Sequence, residues 1–313
     1  MTHGSHAELA AFVGIDWADA QQDVCLQAAG SEQRASCLIA HPPETIDAWV
    51  RRLRTRFHGP PMALCLERNT GPMVSALRTD DFLGRFPLNP MTGARDREAC
   101  TPSRANDAPT DAALQLALRL TPRQKLPPLK PQSPAMRALA PLVAHRRRVV
   151  GDTVRLTHRR TRTLKNYVPH VLQGLQEKDP CIFCAFLRRW PPRTAAQLAR
   201  RATLDTFFRD HHGRSADVID TRLRALKAAR PLTTDAGVIA PHALRVQTLV
   251  SQRRVTLHAL EDCDTAIAQR AQHPPDFALF QARPGAGPVF ASRLLVACGE
   301  QRARSASAAA LQP

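Results

Sequence analysis

Two short apolar runs, each closed by a carboxylate, constrain this chain more than any other feature. Ala11-Phe12-Val13-Gly14-Ile15 ends on Asp16, and Met62-Ala63-Leu64-Cys65-Leu66 ends on Glu67. Both have the length and composition of β-strands. Asp23–Gln27 and Ser36–Ile39 read as two more short strands, separated by turn-forming residues. Next, Pro43–Phe57 carries Ile46, Trp49, Val50, Leu53 and Phe57 at helical spacing, with arginines on the other face. Gly71–Leu77 suggests a second helix and Phe86–Leu88 a short last strand. Pro109–Leu120 reads as a helix with proline in its first turn.

The resulting order is β-β-β-α-β-α-β-α, with the first three strands close enough in sequence to form a meander. That is the order a ribonuclease H-like fold requires, so residues 1–120 are expected to form an α/β domain. Residues 121–134 (TPRQKLPPLKPQSP) are Pro-rich and polar, which marks a linker. A very basic helix is expected from Met136 to about Leu175. Leu142, Val149, Val150, Val154, Leu156 and Leu164 give it a partial apolar stripe. A second long helix is expected from about Ala240 to Gln272, so residues 135–275 read as a helical hairpin or coiled-coil arm. Residues 276–313 then begin a further domain. No internal repeat is evident.

A length of 313 residues suits about two domains, and 43% hydrophobic residues excludes a wholly disordered chain. The net charge of +17 points to a polyanionic partner, nucleic acid before membrane. Arginine far outnumbers lysine, which a GC-rich genome also produces, so charge alone does not decide the matter. No apolar segment follows Met1 in the manner of a signal peptide, and no run approaches the ~20 apolar residues of a membrane span. The expected location is the cytoplasm. The eight cysteines are scattered through the chain, and reduced thiols are expected.

Enzymes that cut phosphodiesters gather carboxylates from distant parts of the chain. These hold Mg²⁺ (or Mn²⁺), which activates the attacking oxygen and stabilises the leaving one. Asp16, Glu67, Asp107 and Asp111 fit such a set in order and in the elements that carry them. Each also has a plainer account. Strand-end carboxylates are usually solvated turn residues, and Asp107 can cap the helix that Pro109 begins.

The segments GIDWADAQQDVCL, CLERNTGPMVSAL, FPLNP, TPSRANDAPTDAAL, LKNYVPHVL and PGAGPVFASRLL together resemble the DEDD transposases of the IS-one-ten (IS-one-sixteen) insertion sequences, a family that includes the Piv-like DNA invertases. The resemblance runs over essentially the whole chain. It implies a RuvC-like N-terminal domain that binds divalent metal, a helical arm and a C-terminal transposase domain. It also implies DNA as substrate, strand exchange directed by a guide RNA, action as a homodimer or tetramer, and association with the bacterial nucleoid. On the matching positions Asp16, Glu67 and Asp111 would be catalytic metal ligands. The family's remaining Asp falls on Ala108; Asp107 lies one position earlier and would substitute with a different direction. Asn106 stands where the family usually has Lys.

Pro284-Gly285-Ala286-Gly287-Pro288 reads as a tight turn leading into a helix, the second half of a helix-hairpin-helix. Gly285 and Gly287 would let backbone N–H groups approach a phosphate, with Arg283, Arg293 and Arg302 beside them. The missing Lys-Ser/Thr ending argues against a nucleotide P-loop. In the family a nucleophilic serine follows this motif. Ser305 and Ser307 do not match its place, so an incomplete C-terminal domain is expected. Arg146, Arg147, Arg148, Arg155, Arg159, Arg160, Arg162 and Lys165 read as contacts to a nucleic-acid backbone, against the alternative of a solvated helix face. Cys181-x-x-Cys184 is read as core packing rather than zinc, for want of a second ligand pair beyond His211-His212. Tyr167, the sole tyrosine, is read as structural. Two other functions compete with transposition: a metal-dependent nuclease of the Holliday-junction kind, and a catalytically dead nucleic-acid-binding remnant.

Overall fold

The computed structural model describes residues 9–17, 21–66, 71–87, 129–167, 180–190, 193–211, 215–228 and 232–300. Glu67, Asp107, Asp111, the Pro109 helix, Arg302, Ser305 and Ser307 lie outside the described residues. The chain divides into two compact units, Met1–Pro131 and Gln132–Pro313.

Among its described residues the first unit holds a five-stranded mixed sheet. Its strands are β1 (Ala11–Trp17), β2 (Gln21–Ala28), β3 (Arg34–Ala40), β4 (Met62–Leu66) and β5 (Leu83–Pro87), in the order β3-β2-β1-β4-β5. β1, β2 and β3 form an antiparallel meander, while β4 runs parallel to β1 and β5 parallel to β4. All five residues of β4 are buried, as expected of an inner strand covered on both faces. Helix α1 (Pro43–Phe57) starts at a proline, where a missing N–H costs nothing, and ends on His58 in the left-handed conformation. Its stripe of Ile46, Trp49, Val50 and Leu53 packs on Ala11, Val13, Ile15 and Leu64. Each such large side chain contributes about 1.5–3 kcal/mol on burial. The opposite sheet face buries Ala63, Cys65 and Phe86, with Phe12 packed against them.

β5 begins at Leu83, three residues before the strand expected from the sequence. Gly84 has no side chain to show an alternation, and Arg85, though charged, is buried and donates a hydrogen bond from Nη1 to the Leu77 carbonyl at 3.4 Å. Between β4 and β5 lie a short helix, α2 (Pro72–Ala76), and a 3₁₀ turn, Leu77–Thr79.

The second unit is helical: α3 (Pro134–Lys165), α4 (Pro180–Arg189), α5 (Arg193–Leu198), α6 (Arg201–Asp210), α7 (Ala216–Ala228), α8 (Ala236–Ala271), α9 (Phe277–Gln281) and α10 (Pro288–Cys298). α3 and α8 pack along one another. Arg146 meets Asp264, Arg253 meets Thr153, and Asn166 meets His242, so the two helices run antiparallel. Caps move their starts from the expected residues. Ser133 Oγ accepts from the Met136 N–H, and Asp235 accepts from the Gly237 N–H, so helix forms ahead of Met136 and Ala240. Pro141 and Pro241 fall inside the helices. α3 closes at Lys165, short of Leu175, with the cap at Asn166.

Where α3 ends and α8 begins, an aromatic cluster of Phe183, Phe186, Trp190, Phe207 and Phe208 packs with Leu164, Tyr167, Val246 and Val250. Cys184 is buried in it. His211 stacks on Phe207 with centroids 4.3 Å apart, while His212 lies outside the described residues. At the other end of this helix pair, Met136, Leu139 and Val143 pack with Ile267, Phe277, Phe280, Ala291 and Leu295.

Tyr167 is buried, and desolvation pushes its phenol up to about 12. Its folded-state value lies above the ordinary one, so its contribution to stability is complete below about pH 10 and lost as pH rises towards 12. Because the chain has one tyrosine, absorbance at the phenolate band reads this group alone. The expected midpoint is near 12 in the native protein, against about 10 in urea. A native midpoint at the urea value would show that the phenol is solvated.

Candidate nucleic-acid interface

Asp16 is the penultimate residue of β1, the middle strand of the sheet, and is half-buried. Alternation along β1 places it on the face opposite α1, since Ala11, Val13 and Ile15 occupy the α1 face. Its antiparallel partner is Asp23 of β2, also half-buried. Directly opposed residues of such a pair lie about 4.5–5.5 Å apart at Cα. Like charges so opposed destabilise a sheet unless something neutralises them. On the other side of β1, Leu66 pairs with Ile15, so β4 reaches the level of the residue before Asp16 one residue before Glu67. Among the described residues no three His, Cys, Asp or Glu side chains gather into a metal-holding group.

The basic residues of α3 separate into two sets. Arg146 is half-buried and donates from Nη2 to Asp264 Oδ2 at 3.2 Å, while its Nε meets Oδ1 of the same carboxylate. That bond holds the guanidinium above its ordinary pKa against the opposing effect of burial. Arg160 is buried at 2% exposure, its guanidinium 4.4 Å from the Phe183 ring centroid and Nη1 donating to Cys184 Sγ at 3.6 Å. These two arginines hold α3 to its neighbours. Arg147, Arg148, Arg155, Arg159, Arg162 and Lys165 are exposed. Of these, Arg155 pairs with the exposed Asp152, one turn away, and such a surface pair is worth at most about 1 kcal/mol. A phosphate can therefore displace Asp152 at little cost.

Arg147, Arg148 and Arg155 do more than face solvent. With Arg293 of α10 they rim a groove of about 670 Å³ between α3 and α10. The rest of its lining is apolar, including the small residues Ala140, Ala144, Gly151 and Ala297, together with Phe290. α10 lies beside the first turns of α3, where the Ser133 N–H donates to Glu300 Oε2. The turn before α10 has Gly285 at φ +77°, a backbone that residues with a Cβ rarely adopt, and buried Ala286 anchors it. Gly287 is the N-cap of α10, with Pro288 at the first helical position. Exposed Arg283 precedes this turn.

Comparison with known proteins bears on the sheet and on the start of the second unit together. The family model for DEDD transposases of the IS110 type, described as a transposase, matches residues 13–169. The chain belongs to this transposase family. A curated relative, the mini-circle transposase for IS117 of Streptomyces coelicolor, is 25% identical over 316 aligned residues, covering 97% of this chain and 75% of its own length. No described helix of the transposase is long and apolar enough to cross a membrane.

Sequence reasoning missed Asp23, because facing Asp16 depends on strand register rather than on any motif. It also missed Phe290 and the groove, which exist only once α10 packs on α3. The inward direction of Arg146 and Arg160 had a signal: Leu139, Arg146, Thr153 and Arg160 recur at heptad spacing along the side of α3 that meets its neighbours, and Tyr167 continues the spacing just past its end.

Proposed function

We propose that the protein is a transposase chain in which a RuvC-like, ribonuclease H-like sheet carries a divalent-metal site and the helical arm grips nucleic acid. Asp16 carries this reading, as a half-buried carboxylate one residue from the end of the middle strand, on the face away from α1. The strand order β3-β2-β1-β4-β5, with β2 antiparallel to β1, supports the ribonuclease H-like assignment. Carboxylate oxygens are the donors that Mg²⁺ or Mn²⁺ takes, and the opposed Asp16 and Asp23 are a juxtaposition that a divalent cation would relieve. Asp16, Glu67 and Asp111 would hold the ion with Asp107, since Ala108 offers no donor. Such an ion activates an attacking oxygen and stabilises a leaving one. Asp16 would orient it from the sheet, while the exposed arginines of α3 and α10 hold the polyanion in place by its phosphates.

Within this reading residues 1–120 form the metal-binding domain, 121–134 the linker, 135–275 the arm, and 276–313 belong to a helix-hairpin-helix-containing transposase domain. DNA is the substrate and a guide RNA the second nucleic-acid partner. The active form is a homodimer or tetramer, and the chain associates with the nucleoid.

Asp16→Asn and Glu67→Gln are each expected to weaken Mn²⁺ binding by at least about tenfold, read by the paramagnetic resonance signal of free Mn²⁺. Parent-like Mn²⁺ binding in both variants would remove these carboxylates from the metal site. The readout needs no turnover, so it holds whether or not the chain exchanges strands by itself.

A further inference from the structure

We propose that the groove between α3 and α10 takes single-stranded DNA, with an unpaired base stacked on Phe290. This rests on reading the groove as a nucleic-acid surface and goes beyond it by naming the kind of strand.

Three observations separate a single strand from a duplex. Phe290 is 50% exposed, a large aromatic face left in water on a helix whose inner face is Ala291 and Leu295. It stands in the same groove as Arg147, Arg148, Arg155 and Arg293. Apart from the arginines, the groove's named lining is apolar rather than hydrogen-bonding. A duplex offers phosphates to such a site but keeps its base faces stacked on one another, leaving the apolar lining, Phe290 included, unused. A single strand offers phosphates to the rim and a free base face to the aromatic, the combination by which sequence-tolerant single-strand binding works. With its four arginines engaged on phosphates, the named lining holds no carboxylate, amide or hydroxyl to read base edges or a ribose 2′-OH, so sequence preference is expected to be weak. The choice of DNA follows from the family's reaction.

The test compares four probes on the full chain by fluorescence anisotropy: a 20-nucleotide DNA strand, the same strand with abasic residues, its RNA counterpart and the 20-base-pair duplex. Phe290→Ala is expected to weaken the DNA strand about tenfold and to leave the duplex and the abasic strand unchanged. Phe290→Trp should restore binding and Phe290→Leu should not, which separates stacking from lost apolar bulk. Phe290 is half-exposed, and unchanged helical circular dichroism in each variant checks the fold. If Arg148→Glu weakens every probe while Phe290→Ala weakens none, the groove binds phosphate only and the stacking inference is overturned. If Arg148→Glu and Arg293→Glu weaken no probe, the underlying reading of the groove fails. RNA bound more tightly than DNA, with the same loss on Phe290→Ala, would overturn the choice of DNA.

Discussion

Raising NaCl from 50 to 200 mM is expected to weaken single-stranded DNA binding by this chain about 50-fold. The estimate takes the four groove arginines, Arg147, Arg148, Arg155 and Arg293, as one phosphate contact each. Each contact on a single strand releases counterions at about −0.7 in the logarithmic salt slope, giving about −2.8 together, or about 1.7 decades over a fourfold change in salt. Replacing all four by Gln should remove that share of the slope and leave only what the exposed cations outside the groove contribute. All four side chains are exposed, so the replacement leaves every described core intact. Arg155→Gln frees Asp152, an exposed pair whose loss costs the fold little. Parent affinity that stays constant across this range, or a quadruple variant that keeps the parent slope, would show that the cations of this groove do not meet phosphate. The net charge of +17 alone does not produce the expected result, because the variant retains the cations outside the groove.

Much of the first unit was legible because its strands and helix carry periodic signals that burial then reads. Ala11–Ile15 and Met62–Leu66 sit inside the sheet as apolar runs should, and α1 spans the residues its apolar spacing predicts. β5 was shortened in the reading because Gly84 and Arg85 interrupt its pattern. Only the pairing from Met62↔Leu83 to Leu66↔Pro87 reveals its length. Asp16 was found as a strand-end carboxylate, whereas Asp23 became part of the same place through the β1–β2 register. In the second unit the existence of both long helices was legible and their ends were not. A side-chain cap at Ser133 or Asp235 outweighs a proline a few residues on, and no periodicity reports that balance. The fate of each arginine on α3 was the least legible feature. It depends on partners far along the chain, 118 residues away for Arg146 and 24 for Arg160.

Arg159 and Arg160 are adjacent and chemically identical, yet one is exposed and the other is 2% exposed within an aromatic cluster. Arg160→Ala is expected to lower the unfolding free energy of the helical unit by about 3 kcal/mol, measured by urea denaturation. The substitution removes a dry cation–π contact with Phe183, worth about 2 kcal/mol, and leaves a cavity between α3 and α4. Arg160→Lys should recover only part of this, since an ammonium cannot lie flat on the ring while donating to Cys184 Sγ. Nucleic-acid affinity, measured well below the transition, should be unchanged. Arg159→Ala should do the reverse, keeping stability within about 0.5 kcal/mol while lowering affinity and flattening its salt dependence by about one contact. If Arg160→Ala instead weakened nucleic-acid binding with no loss of stability, its guanidinium would have to leave the cluster in solution. The packing of Phe183 against α3 would then be wrong, and the whole basic run would act as one surface.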